Sequence, residues 1–275
     1  MTPSTAAPRP TRTPTWSNVG WGRARIELKR FLRQRESVVF TIIFPALLLC
    51  IFGSVFNQDI APGVTFSQYF VAGMVASGFV NSGFQALAIG IAFERDSGGL
   101  KLLSGTPMPR AAYFIGKFLL VLGVAIIQIT LLMTIGVLFF GVNLPDAAGW
   151  LTFAWVAFLG LLSSALLGIA FSSVPRDADS APALITPIVL VLQFISGVFF
   201  VYTQLPTWMQ HIAAIFPLKW LTQGMRSVFL PDTFAAAEAS GQWQLSWVAV
   251  VLIIWTVIGA VLCLRTFRWQ RRGED

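Results

Sequence analysis

The sequence predicts an all-α polytopic membrane protein with six transmembrane helices, and three observations predict it. Hydrophobic residues make up 56% of the 275-residue chain and charged residues only 11%, where soluble domains carry about 25% charged residues. The apolar residues fall in runs of span length, since roughly 20 helical residues cross about 30 Å of hydrocarbon. The basic residues gather on one side of a six-span arrangement, as cytoplasmic segments do. Backbone amides have no water partner in lipid, so such runs must be helical.

The elements follow in chain order. Residues 1–15 are rich in Pro, Thr, Ser and Ala and read as a disordered tail. Residues 16–36 alternate Trp21, Ile26, Leu28, Phe31 and Leu32 with Arg23, Arg25, Lys29, Arg30, Arg33 and Arg35. That pattern predicts an amphipathic helix in the interface, its cations against anionic lipid. The plainer reading is an orientation signal. The six-span domain covers 38–264, with spans Val38–Phe56, Ser67–Phe93, Phe118–Phe140, Trp150–Val174, Ala183–Val201 and Leu245–Leu264. The first 36 residues hold no apolar h-region, so no cleavable signal peptide is expected. Residues 265–275 form a basic tail.

Between the fifth and sixth spans, 203–242 is too broken by Pro206 and Pro217 to cross and too aromatic to be a solvated loop. Two short re-entrant helices on the outer side fit it, followed by an exposed loop from Pro231 to Gln242. His211 stands alone there, without the neighbours a metal site needs. Cys50 and Cys263 lie in the first and last spans and form neither a disulfide framework nor a metal site.

Of the 19 Lys and Arg residues, all but Lys219 and Arg226 fall on the side of both termini. This asymmetry puts the termini in the cytoplasm. The basicity therefore orients the chain and implies no nucleic-acid partner.

Two spans carry polar stripes. Ser77, Asn81 and Gln85 recur every fourth residue of the second span; Thr186, Gln193 and Ser196 share a face of the fifth, and Gln128 lies in the third. Amides in hydrocarbon must find partners, so these faces turn inward. They read either as a substrate path, with Phe84 and Phe194 as apolar contact surface, or as interhelical hydrogen bonds worth about 0.6 kcal/mol each. Ser164 and Gly168 form a small-xxx-small pair that signals close helix packing.

The segment 94–117, ERDSGGLKLLSGTPMPRAAYFIGK, is longer than a passive helix connection of roughly 2–8 residues. Ser97 is placed to cap a short helix with Leu100, Leu102 and Leu103 on one side, ended by Pro107 and Pro109. The competing reading is a solvated hairpin linker. Gly116-Lys117 is followed by Phe118, so no phosphate-cradling loop exists. No mid-span acid offers a proton relay, and no clustered nucleophile offers an enzyme site. Energy for transport must enter from a partner, and 94–117 is its port.

These residues resemble the membrane subunit of an ABC transporter of the type-2 exporter family, which includes daunorubicin-resistance and ABCG-like permeases. The likeness covers the chain after its head. It rests on the basic helix before the first span, on E-R-x-x-G-x-L-x-x-L-x-x-T-P from Glu94 to Pro107, and on P-x-x-x-x-x-x-G-x-R from Pro217 through Gly224 to Arg226. At Gly99-Leu100-Lys101 the family more often has Thr-Leu-Glu, so the charge of that turn is reversed. The resemblance implies a coupling helix made from Glu94, Arg95, Asp96, Ser97, Gly98, Leu100, Thr106, Pro107 and Arg110 that docks on a separate ATP-binding subunit. It implies no cofactor in this chain, ATP and Mg being held by that partner. It further implies a second permease subunit, identical or related, facing the second and fifth spans across one cavity. The expected function is a permease of an ATP-driven exporter of an amphiphilic drug, antibiotic or lipid-like substrate in a prokaryotic plasma (inner) membrane. A polysaccharide exporter, a secondary transporter and a non-transporting scaffold are the alternatives.

Overall fold

The computed structural model describes residues 16–56, 58–106 and 108–267. The expected disordered tail, Pro107 and most of the C-terminal tail lie outside them. The first helix, α1, spans Trp16–Arg33. After a break at Gln34, the helical segment Arg35–Val55 (α2) carries the first apolar run. Its turn Val39–Ile43 is a π-helix. Pro45 follows, and a proline can neither donate to the preceding turn nor sit against its carbonyl. The wide turn precedes that ring, with Phe44 N–H reaching back to Val39 O.

A small antiparallel pair, β1 (Asp59–Ala61) and β2 (Val64–Thr65), leads into the long segment α3, Phe66–Asp96. Thr65 and Gln68 form a reciprocal capping box at its start. It contains a second π turn, Asn81–Gln85, and continues unbroken to Asp96. The sequence reading ended this helix at Phe93; the structure extends it by one turn, so Glu94, Arg95 and Asp96 are helical residues.

A six-residue helix follows, α4 (Gly99–Ser104), then α5 (Arg110–Phe140) and α6 (Ala147–Phe171). Asp146 caps α6 by accepting from Gly149 N–H at 2.7 Å. Helix α7 covers Ser180–Ile195. Two helices of the expected re-entrant segment, α8 (Thr207–Ile215) and α9 (Pro217–Phe229), meet at Phe216. The last helix, α10, covers Leu245–Thr266.

Among the described residues five segments, α2, α3, α5, α6 and α10, are long and apolar enough to cross a membrane. The expected fifth span, Ala183–Val201, is the shorter one: α7 has 16 residues, about 24 Å of helix against about 30 Å of hydrocarbon. It stops because Gly197 turns the chain at φ 76°. A Cβ there would stand 2.9 Å from Tyr202 Cβ and 3.0 Å from the Tyr69 hydroxyl.

Helix α3 is the centre of the bundle. In its most apolar stretch 67% of residues are buried, compared with 22% in α10. Its two ends rest on different polar clusters, and α6 crosses its middle. There Gly168 faces backbone directly: a Cβ would lie 2.6 Å from Gly83 O and 2.7 Å from Phe84 O. The small-xxx-small pair thus packs against the π turn of α3. Cys50 and Cys263 are free thiols.

Helix α1 does not lie alone in the interface. Glycines on α5 give it room, Gly116 beside Arg23 and Gly123 beside Leu28. Trp21, Ile26 and Leu32 on α1 stay exposed, an apolar edge suited to lipid.

Candidate functional site

The Asp96 end of α3 carries the first polar cluster. Glu94 receives a short bond from Lys117 Nζ on one oxygen, and Tyr113 Oη donates to the other at 2.9 Å. Lys117 also pairs with Glu27 at 3.0 Å, and Arg23 donates to Glu27 at 2.8 Å while standing 3.9 Å from Glu94. The Arg23 guanidinium lies 4.7 Å from the Tyr113 ring centroid. Tyr113 and Lys117 are buried. Two carboxylates and two cations thus join α1, α3 and α5 in one network. Shared hydrogen bonds and opposite charges offset the desolvation that makes a lone buried ion so costly.

Arg95 points elsewhere. Its guanidinium donates to Ser172 O at 2.7 Å and Pro175 O at 3.4 Å, closing the carboxyl end of α6. Cations are favoured there by the exposed carbonyls and the helix dipole. Asp96 completes the last turn of α3.

Ser97 does not cap α4. Its hydroxyl donates to Glu94 O at 3.2 Å, which finishes α3 instead. Gly98 occupies the cap position of α4 at φ 75°, with no side-chain bond. The left-handed backbone favours glycine at that corner. Within α4 the leucines separate rather than sharing one side: Leu100 is fully buried, Leu103 half-buried, and Leu102 is 77% exposed. Thr106 turns back to Leu103 O at 2.7 Å. Arg110 opens α5, its side chain outside the described set, as is Pro107. Of the nine residues expected at the coupling segment, Glu94, Arg95 and Leu100 therefore tie it to the bundle, while Thr106 is exposed like Leu102.

The polar stripes meet each other. Gln193 Nε2 donates to Asn81 Oδ1 at 2.8 Å, and Gln85 Nε2 donates to Thr186 Oγ1 at 3.1 Å. Both pairs cross from α3 to α7. Ser77 bonds within its own helix to Met74 O, and Ser196 supplies its carbonyl to Thr222 Oγ1 at 2.8 Å. Gln128 is buried against Gly78 and away from the seam, and its amide atoms have no hydrogen-bond partner. Phe84 packs on Phe171, whereas Phe194 is exposed and packs on Phe199 and Phe200. The structure brings together Asn81, Gln85, Thr186 and Gln193; it sets Ser77, Gln128 and Ser196 apart from them.

Sequence reasoning missed the second cluster, at the Phe66 end of α3. Arg226 on α9 is fully buried and binds Glu238 through two bonds, Nε to Oε1 at 2.5 Å and Nη2 to Oε2 at 3.0 Å. Its guanidinium stands 5.1 Å from the Tyr69 ring centroid, and Tyr69 Oη accepts from Tyr202 N–H at 3.0 Å. Pro231–Gln242 is accordingly not a plain exposed loop: it holds a short 3-10 turn, Asp232–Ala237, and buries Phe234 and Glu238. The acid at 238 offered no periodic signal. Its partner at 226 did, through the family pattern.

Among the described residues no group of three potential metal ligands occurs. What these arrangements can do is mechanical. They hold helix ends and seams together, and they leave the outer side of α4 open.

Known proteins show the same kinship. The chain is 22% identical over 70% of its length to the Bacillus subtilis transport permease YvfS, covering 77% of that protein. It is 23% identical over 74% of its length to the Escherichia coli K12 multidrug ABC transporter permease YbhR, of which it spans about half, 54%. A transport permease of Porphyra purpurea, ycf38, is 24% identical over 84% of this chain and 82% of its own. The profile of the ABC-2 type transporter family matches residues 24–230, a stretch that holds α2 to α9, and the chain belongs to that family of membrane permeases.

Proposed function

We propose that the chain is the permease subunit of an ATP-driven exporter. Helix α7 and the residues after it, to Val201, form a sixth crossing, and both termini lie in the cytoplasm of a prokaryotic plasma membrane. Two such subunits, identical or related, enclose the path and engage two ATP-binding subunits. The observation that carries this reading is the short helix α4, rooted by buried Leu100 and presenting exposed Leu102, directly after the central helix α3. Closure of the ATPases presses on α4. Leu100 passes the push to α3, and the Glu94 network passes it to α1 and α5. Alternating access then follows from a shift between two states that the ATPase favours differently. The α3–α7 seam and exposed Phe194 face the second subunit, and their uncharged, aromatic character suits an amphiphilic drug, antibiotic or lipid-like substrate.

The test is reconstitution with the ATP-binding partner and measurement of ATP-dependent efflux. Leu102→Asp should abolish efflux while leaving the melting temperature unchanged. Glu94→Ala should reduce efflux and stability together. Normal efflux by a folded, assembled Leu102→Asp protein would remove α4 as the docking element.

A further inference from the structure

The Phe66 end of the bundle holds a cavity of about 460 Å³, lined among others by Tyr202, His211, Lys219, Gln223, Ser240 and Gln244. Lys219 and Arg226, one heptad apart on α9, are both buried. Their electrostatic situations differ. Arg226 has its bidentate carboxylate in Glu238. Lys219 has no carboxylate within ion-pair distance among the described residues. Its ammonium lies 3.6 Å from the Trp220 ring centroid and 5.4 Å from that of Tyr202, and it donates to Gln223 Oε1 at 2.6 Å. Gln223 is itself fixed by donating to Trp243 O at 2.8 Å.

An ammonium has three donors, and the amide oxygen takes one. Two buried cations thus share one carboxylate at the edge of an open, polar-rimmed cavity. A buried charge without a counter-charge is costly, and aromatic faces offset only part of that cost. A cavity of a few hundred Å³ with a few converging polar groups is the usual form of a small-ligand site.

We propose that this cavity binds an oxyanion, a phosphate or carboxylate, with Lys219 as its counter-charge and the remaining ammonium donors as its hydrogen-bond partners. The oxyanion arrives on the headgroup of an amphiphile or as a free ion. The aromatic ring of Tyr202 and the small side chains of Ala214 and Ala239 on the cavity lining admit the carbon skeleton next to the charge. This site needs no assumption about export.

The charge of Lys219 is tunable. Burial and, after it, the nearby Arg226 lower its pKa from the ordinary lysine value, Glu238 opposes both, and the net is about 8. Tyr202, with its pKa raised to about 12, stays neutral through that range, and His211 is exposed on the rim. The ammonium is therefore charged below about 8 and lost above it, so anion affinity should be present near neutrality and fall as the pH rises.

Isothermal titration of the full chain in neutral detergent tests this with four probes: dihexanoylphosphatidylglycerol, dihexanoylphosphatidylcholine, inorganic phosphate and hexanoate. The expected result at about pH 7 is saturable binding of the anionic lipid, weakened at least about tenfold, or about 1.4 kcal/mol, by Lys219→Met. The wild-type protein should show a similar loss at about pH 9.5, which needs no variant to fold. Phosphate or hexanoate binding as tightly as the anionic lipid identifies a free-anion site; binding of the lipid alone identifies a headgroup site. Equal affinity for phosphatidylcholine, an affinity unchanged by Lys219→Met or by pH, or no saturable binding of any probe overturns the proposal.

Discussion

Glu94 owes its importance to what surrounds it. It accepts from Tyr113 and Lys117, and Lys117 is buried at 4% exposure. Glu94→Gln removes the charge while keeping the shape, leaving Lys117 with Glu27 alone. Breaking one partner of a buried pair costs about 3–5 kcal/mol, and the network's second carboxylate places this loss at the low end. Denaturant unfolding in detergent should show it, and a Glu94→Gln plus Lys117→Met protein should recover part of it. Additive losses would mean that the two side chains do not act as a pair. The α3–α7 seam gives a second test at this scale. Asn81→Leu plus Gln193→Leu removes both ends of one bond, worth about 0.6 kcal/mol, so assembly should survive while substrate preference in efflux assays changes. Lost assembly with unchanged preference would assign these amides to packing alone. The stripes were legible because spacing of four reports a helix face directly. Glu27, Tyr113 and Glu238 were not, because each acts through residues distant in sequence, and no local period marks such a partner.

At the scale of elements, apolar runs located every long helix, but charges misled at their ends. Glu94, Arg95 and Asp96 look like loop residues, yet tertiary partners satisfy Glu94 and Arg95 and the helix goes on. Ser97 has the chemistry of an N-cap, but the preceding helix claims its hydroxyl, and Gly98 turns the chain without help. The shortness of α7 was hidden because Gly197 and the apolar residues after it prolong the hydrophobic run without prolonging the helix. The contact between α6 and α3 was signalled by Ser164 and Gly168, though the surface they met was not. Gly168→Ala must push a methyl into two carbonyl oxygens at 2.6 and 2.7 Å. Backbone cannot swing aside as a side-chain tip does, so a loss of about 1–3 kcal/mol is expected. Thermal unfolding should show it. An unchanged melting temperature would mean that α6 can slide freely past α3.

Across the whole molecule, the two polar clusters hang on one helix. Tyr69 and Glu94 are separated by 25 residues of α3, roughly 37 Å along its axis. Each cluster joins α3 to elements far away in sequence: α1 and α5 at one end, α9 and the Pro231–Gln242 segment at the other. Cutting out residues 16–33 removes Arg23 and Glu27 and exposes the buried Lys117 network. The shortened protein should therefore unfold at lower temperature while its Tyr69 end keeps its hydrogen-exchange protection. Equal loss of protection at both ends would show that the bundle has no separable anchorages. The fold class was plain from composition and run length because lipid admits few backbone solutions. The anchorages were not, since ion pairs between segments leave no trace in hydropathy.

The π turn Asn81–Gln85 lies between those anchorages. A turn closed from residue i to i+5 accommodates one residue more than the α-helical turn it replaces. Each residue of an α-helix advances the side chains by about 100°, and the wide turn takes up its extra residue within one revolution, so Tyr69 and Glu94 keep the phase that an unbroken α-helix one residue shorter would give them. Substitutions within the turn leave the phase intact. A deletion of one residue there closes the wide turn to an α-helical one and leaves both anchorages facing their partners, whereas Gly83 within it has no room for a side chain against Ser164, so this short stretch tolerates the loss of a residue better than a change at its glycine.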